Sequence, residues 1–420
     1  MPLPSKTTPR WLILADDLTG AADCAVAFAR RGHAAAVTWG EAAGQEAEEA
    51  VLAIDADSRR LSAEAAAARH AALLRPGPTL YKKIDSTLRG QPAAELAATL
   101  AALREGGRPA LAVVAPAFPD TGRTTEAGRI RLGGAPLEDS PLWAREHSYG
   151  DADLRAILEG AGLPTALLPL EELRAGPEAV ATAMQDALAA GRAALVCDAV
   201  TTADLGTIAR ATRPQGAELV WVGSGGLAAA LAEAEPAGQD PPPPRPPVTG
   251  GGLLLVVGSL AEASRAAAGQ ALAQGGLRHF GIQPALLRAG PAGWGGMARE
   301  IAAAIAAGED ALAIIEPEPG ADLRHGAALA QAMAALLQPA AAQAGGLFAT
   351  GGETAYALLS QLGVKGIRLL EEVAAGVPLG LTRGARRLPV VTKAGGFGDA
   401  DIIRHARQRL HAWLQEEAAA

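Results

Sequence analysis

The chain has 420 residues, too long for one ordinary core and enough for two or three domains. Its 49% hydrophobic and 20% charged residues describe a folded chain, and a net charge of −8 argues against the basic face of a nucleic-acid binder. Aromatic residues, at 3%, are too few for base-stacking platforms, and the two cysteines fit neither a metal spacing nor a disulfide framework.

Met1 to Arg10 is short and Pro-rich, without the apolar core of a signal peptide. Trp11–Ala15 then reads as a buried strand, Asp16–Gly20 as a loop and Ala21–Gly32 as a helix. The alternation continues through strands at Ala35–Trp39, Val51–Ile54, Thr79–Ile84 and Leu111–Val114, with helices over Ala63–Leu74 and Ala93–Leu103. Gly122–Tyr149 is rich in Gly, Pro and charge and reads as a long functional loop. Beyond it come strands at Ala166–Leu168, Ala194–Asp198 and Leu219–Val222, helices over Pro177–Ala190 and Ala203–Arg210, and a helix opened by Gly225 and Gly226. The proline run within Glu235–Gly252 marks a domain boundary, because consecutive prolines stop both helix and central strand. Strands follow at Leu253–Val257, Ala311–Ile315, Gly346–Ala349 and Leu388–Thr392, with a last helix over Asp401–Glu416. The predicted fold is α/β, with two domains that each carry a mainly parallel sheet flanked by helices. The boundaries are 1–235, a Pro/Gly-rich linker 236–252, and 253–420. No apolar run approaches the ~18 residues of a membrane span, so no membrane partner and a cytoplasmic location are expected.

Ligands of such folds bind at the carboxyl ends of parallel strands, and the unusual residues gather there. Asp16 and Asp17 end the first strand; adjacent carboxylates are costly unless they meet a cation, a ligand hydroxyl or a proton. The bland reading is a solvated helix entry with Thr19 as N-cap. Lys83, Asp85, Ser86, Thr87 and Arg89 follow another strand. They supply cations for a carboxylate and polar groups for sugar hydroxyls. Their bland reading is a charged turn, with Arg89 paired to an acid such as Glu95. Arg59, after Asp55 and Asp57, is a weaker addition to the same site. In the second half, Gly258-Ser259, Thr350-Gly351-Gly352-Glu353-Thr354 and Lys393-Ala394-Gly395-Gly396-Phe397-Gly398-Asp399 all follow strands. Glycine loops let backbone amides approach phosphate at a helix N-terminus. Neither loop is a Walker A, and no dinucleotide fingerprint follows the first strand of either domain. The histidines form no metal set, so no protein-held metal is expected.

ADDLTGAAD, KKIDSTLRG, PAFPDTGRTT, TGGET and KAGGFGD occur in one order, and together they resemble the four-carbon acid sugar kinase family. The resemblance runs from about Leu12 to Ile403. It implies an N-terminal sugar-binding domain, a C-terminal nucleotide-binding domain, and ATP-dependent phosphorylation of the terminal C4 hydroxyl of threonate, erythronate or 3-oxo-tetronate. By the same resemblance Asp16, Arg59, Lys83, Asp85, Ser86, Thr87 and Arg89 would line the acid-sugar site. Ser259, Gly351 to Thr354, Lys393 and Gly395 to Gly398 would line the ATP site. KKIDSTLRG is closer to the threonate and erythronate members, since oxo-tetronate members carry Lys before the glycine. The implied cofactors are ATP and Mg²⁺, the latter held largely by phosphate oxygens and water. The proton acceptor stays open among Asp16, Asp17, Asp85 and Asp399, and a homodimer stays open. A metabolite sensor without turnover and a nicotinamide dehydrogenase are the rival readings; the second lacks its fingerprint.

Overall fold

Parallel strands buried on both faces read as near-continuous apolar runs, and every residue of Trp11–Ala15, Val51–Asp55, Leu111–Ala115 and Leu253–Val257 is buried, with Asp55 the one charged side chain among them, at a strand end. In the computed structural model, residues 9–44, 48–108, 110–140, 143, 149–243, 250–318 and 326–418 are described. They divide into two compact units between Asp240 and Pro241. Within the expected linker, 244–249 lie outside the described residues, as do 141–142 and 144–148 of the expected loop.

The first unit contains β1 (Trp11–Ala15), β2 (Ala35–Trp39), β3 (Val51–Asp55), β4 (Thr79–Lys83) and β5 (Leu111–Ala115). It continues with β6 (Arg123–Glu126), β7 (Arg129–Leu132), β8 (Ala135–Pro136), β9 (Thr165–Leu168), β10 (Ala194–Cys197) and β11 (Leu219–Gly223). Its main sheet runs β2-β3-β1-β4-β11-β5-β10-β9, with parallel pairing throughout. From β1 the chain goes out to β2, returns to β3 beside β1, then crosses to the other side of β1 to form β4. The β1/β4 boundary is therefore a topological switch point, the place where such sheets open a crevice for ligands. Trp11 packs against Phe28 and Trp221, with ring centroids 5.1 and 5.4 Å away, and fastens the helix Leu18–Ala29 to the sheet. In part of the expected loop, β6, β7 and β8 form a small antiparallel sheet. Turn glycines hid those short strands from a reading by composition.

The second unit contains β12 (Leu253–Val257), β13 (Arg278–Ile282), β14 (Ala311–Ile315), β15 (Gly346–Thr350), β16 (Val364–Ala374), β17 (Val377–Gly384) and β18 (Pro389–Lys393). The order is β13-β14-β12-β15-β18-β17-β16. The first five are parallel, and the hairpin β16/β17 is antiparallel. The switch point here lies between β12 and β15. Register aligns Val257 with Thr350 and Thr350 with Lys393, so the three segments expected at a nucleotide leave the sheet side by side. Each unit has its own apolar core beneath its sheet, built from Leu12, Leu52, Leu96 and Val222 in the first and Leu255, Phe348, Val391 and Leu410 in the second.

Candidate active site

At the first switch point the β1/β3 and β1/β4 registers bring Asp16, Asp17, Arg59 and Lys83 together. Asp17, not Thr19, is the N-cap, so the helix begins at Leu18. Its side chain accepts from Gly20 N–H at 3.0 Å, and Thr19 Oγ1 donates to it at 2.7 Å. Arg59 Nε donates to Asp16 Oδ2 at 2.6 Å, and Nη1 donates to Asp17 Oδ2 at 3.0 Å. Arg59 Nη2 also lies 3.6 Å from Asp85 Oδ1. Lys83 Nζ donates to Asp16 Oδ1 and Asp17 Oδ1, each at 3.2 Å. Its ammonium fills the space beside Gly20, where a Cβ would lie 2.1 Å from Nζ. Arg89 grips Asp85 with two donors, Nε at 3.0 Å and Nη2 at 2.8 Å. Thr87 donates to the same carboxylate through its N–H at 3.2 Å and through its hydroxyl. Ser86 is buried in this loop.

Burial alone would raise the carboxyl pKa values, but the cations outweigh it. Arg59 and Lys83 hold Asp17 well below the usual carboxylate range, and Arg89 and Arg59 do the same to Asp85. Burial works against the charged forms of Arg59 and Lys83 as well, and Asp16 and Asp17 reverse it, raising both above their ordinary values.

Several contributors escaped the sequence reading. Asp55 is buried at the end of β3. Burial, with Asp17 and Asp57 nearby, pushes its carboxyl well up, while Asp57 N–H donates to it at 2.7 Å. Behind Arg59 lies a buried polar network. Lys82 Nζ sits 2.7 Å from Glu95 Oε2, and Ser58 Oγ donates to Glu95 Oε1 at 2.6 Å and lies 3.0 Å from His70 Nε2. Lys82 Nζ also donates to Lys83 O at 2.9 Å, and Ser58 N–H donates to Asp16 O at 3.1 Å. The network thus fixes the backbone on both sides of the cluster. Glu95 is the partner of Lys82 and not of Arg89. Successive strand residues point to opposite faces, so Lys83 meets the Asp pair while Lys82 meets the helix Pro92–Glu105.

In the second unit Gly258, Ser259, Gly351 and Lys393 gather at the other switch point. A Cβ on Gly258 would lie 2.0 Å from Thr354 Oγ1 and 2.9 Å from its Cβ, so glycine lets that threonine approach the end of β12. Gly351, with φ +96°, caps the helix Gly352–Gln361, whose first turn holds Glu353 and Thr354. Ser259 Oγ accepts from Ala261 N–H at 3.2 Å, and a Cβ on Gly395 would lie 2.2 Å from that Oγ. The Phe397 ring packs on Gly376, in the turn between β16 and β17, and Gly398 has φ +77°. Asp399 follows, its Oδ1 accepting from Asp401 N–H at 3.0 Å. Lys393 is buried and directs its ammonium to hydroxyls and carbonyls, and burial lowers its pKa to about 8. The donor set is glycine amides and hydroxyls, which suits phosphate. Among the described residues no three His, Cys, Asp or Glu side chains are grouped to hold a metal ion, and no helix is long and apolar enough to cross a membrane.

Comparison with known proteins agrees with this division. A sugar-binding N-terminal domain matches residues 11–231, and a nucleotide-binding C-terminal domain matches residues 254–403. The chain is 43% identical to a D-threonate kinase of Cupriavidus necator, over 95% of this chain and 98% of that protein. It is 38% identical to a D-threonate kinase of Bordetella bronchiseptica, over 95% and 96%. A solved structure of a Haemophilus influenzae protein shares the fold, with a TM-score of 0.71 at 21% identity, over 94% of this chain and 99% of that one. The chain therefore belongs to the four-carbon acid sugar kinase family, the threonate, erythronate and 3-oxo-tetronate kinases, with its sugar-binding domain first and its nucleotide-binding domain second.

Proposed function

We propose that the protein transfers the γ-phosphoryl group of ATP to the terminal C4 hydroxyl of a four-carbon acid sugar, with D-threonate the first candidate and D-erythronate and 3-oxo-tetronate the alternatives. The observation that carries this reading is the cluster of Arg59, Lys83 and Arg89 against Asp16, Asp17 and Asp85 at the switch point of the sugar-binding unit. A carboxylate with several hydroxyls needs cations for one end and carboxylates for the other, and this cluster supplies both. The similarity to two D-threonate kinases over nearly the whole chain supports the substrate choice.

The attacking hydroxyl must lose its proton as its oxygen bonds to phosphorus and the bond to ADP breaks. Asp16, Asp17 and Asp85 each meet two cations, but Asp17 and Asp85 also accept from further donors, Thr19 and Gly20 N–H for Asp17 and Thr87 for Asp85, which leaves them poor acceptors. Asp16 takes one donor on each oxygen, from Arg59 and Lys83, which leaves a lone pair on each for the substrate. We assign Asp16 as the proton acceptor. Asp17 and Asp85 then fix Arg59, Lys83 and Arg89, and these cations hold the acid. Ser259, Thr354 and the amides of Gly352, Gly395 and Gly396 receive the nucleotide, while the Gly351 N–H donates to Lys393 O at 3.0 Å and ties the two loops together. Mg²⁺ would supply charge neutralisation when bound to the nucleotide, and Asp399 would be the loop carboxylate nearest to that role.

ADP release with a panel of D-threonate, D-erythronate, 3-oxo-tetronate and the neutral tetritols tests the reading. Turnover is expected with at least one acid and not with the tetritols. ATP binding without turnover on any acid would instead identify a sensor.

A further inference from the structure

We propose that Lys393 is the positioning residue of the nucleotide loop: from beneath, its ammonium turns two successive peptide groups so that the amides of Gly395 and Gly396 face a nucleotide phosphate. This rests on the reading of the second unit as the ATP site. Lys393 Nζ donates to Ala394 O at 3.1 Å and to Gly395 O at 3.3 Å. A trans peptide points its C=O and the following N–H in opposite directions. Holding those two carbonyls inward therefore aims the Gly395 and Gly396 amides outward. Neither amide donates a hydrogen bond within the described residues, and Gly396 is exposed. Two successive outward amides form an anion-binding nest.

The ammonium is itself held from two other elements. It lies 2.9 Å from Ser264 Oγ, on the helix Glu262–Gln274, and 3.2 Å from Thr350 Oγ1, at the end of β15, so its three N–H groups are shared among these hydroxyls and the two carbonyls. Ser264 Oγ adds its own hydrogen bond to Gly395 O at 2.7 Å. No carboxylate lies within ion-pair distance of Lys393 among the described residues. The positive charge is therefore left to the loop and to whatever anion the loop holds. This arrangement also explains why a lysine that begins a glycine loop need not reach the phosphate to serve it.

Lys393→Met keeps the length and removes the donors. Calorimetric titration with ATP should show binding by the wild type and at least about tenfold weaker binding by the variant, or about 1.4 kcal/mol. The KM for the acid should stay unchanged in both. Ser264→Ala should weaken ATP binding in the same direction by a smaller factor and keeps the fold testable if Lys393→Met does not fold. In ¹⁵N-glycine-labelled wild type, ATP should shift the Gly395 and Gly396 amide resonances, and these shifts should shrink in the variants. Equal ATP affinity in wild type and both variants overturns the proposal for Lys393 alone. Absence of ATP binding by the wild type overturns the nucleotide reading itself.

Discussion

Replacing Asp16 with asparagine is expected to lower kcat/KM for the acid by about 10²-fold or more, the scale of a general base, while ATP affinity holds. The substitution keeps the shape and one acceptor oxygen, so either Arg59 or Lys83 retains a partner. What disappears is the carboxylate that can take the proton. Asp17→Asn is the matched control. Asparagine caps a helix as well as aspartate does, so the helix Leu18–Ala29 keeps its start, and the loss should fall mainly on the KM for the acid through a loosened Arg59 and Lys83. Steady-state kinetics on the two variants, with thermal unfolding as a check on folding, separates the roles. Unchanged kinetics in Asp16→Asn would contradict the role of Asp16 as proton acceptor and leave Asp399 as the remaining candidate.

The second large effect concerns stability. Glu95→Ala removes the carboxylate from beside Lys82, whose side chain is fully buried, and strips the acceptor from Ser58. Removing one partner of a buried pair typically costs about 3–5 kcal/mol, and urea denaturation should show a loss of that size. Glu95→Gln, which still accepts from Ser58, should lose less. The pH dependence follows from the same pair. Burial would raise the Glu95 carboxyl, but Lys82 and His70 hold it well below its unfolded value of 4.5. A depressed carboxyl contributes stability in full above the unfolded value and loses it as pH falls through the folded one. The wild type should therefore lose stability more steeply than Glu95→Ala as the solution is acidified from pH 5. Because Ser58 precedes Arg59, Glu95→Gln should also raise the KM for the acid more than that for ATP. A flat acid KM would leave this network with a purely structural role.

The strands that frame both switch points were legible because parallel strands buried on two faces read as short apolar runs. Trp11–Ala15, Ala35–Trp39, Leu253–Val257 and Ala311–Ile315 have the expected boundaries. β16 and β17 were missed for a physical reason. In β16 the register shifts between Val364 and Gly366, between Leu369 and Glu371, and between Glu372 and Ala374, and each shift breaks the period-two alternation that reveals a strand. β17 is buried from Val377 to Thr382 without alternation and carries Pro378 and Gly380, which read as breakers. The helix after β1 was placed three residues late, because Asp17 is at once its cap and an ion-pair partner. The candidate site was legible as motifs at strand ends, and six of its charged residues do converge. Its support was not. Nothing in the spacing tells which of two adjacent lysines meets Glu95, since that depends on which sheet face the helix Pro92–Glu105 covers. Asp55 was overlooked because its unusual ionisation comes from burial, which sequence does not display.

In the proposed reaction the terminal hydroxyl of a four-carbon acid receives the phosphoryl group from ATP. The most direct measurement is ³¹P nuclear magnetic resonance of the product formed from ATP, Mg²⁺ and D-threonate, recorded with proton coupling. The expected result is an acid- and enzyme-dependent phosphomonoester signal split by the two protons of a CH₂–O–P group. A signal split by one methine proton, or ADP formation with no phosphorylated acid, would contradict it.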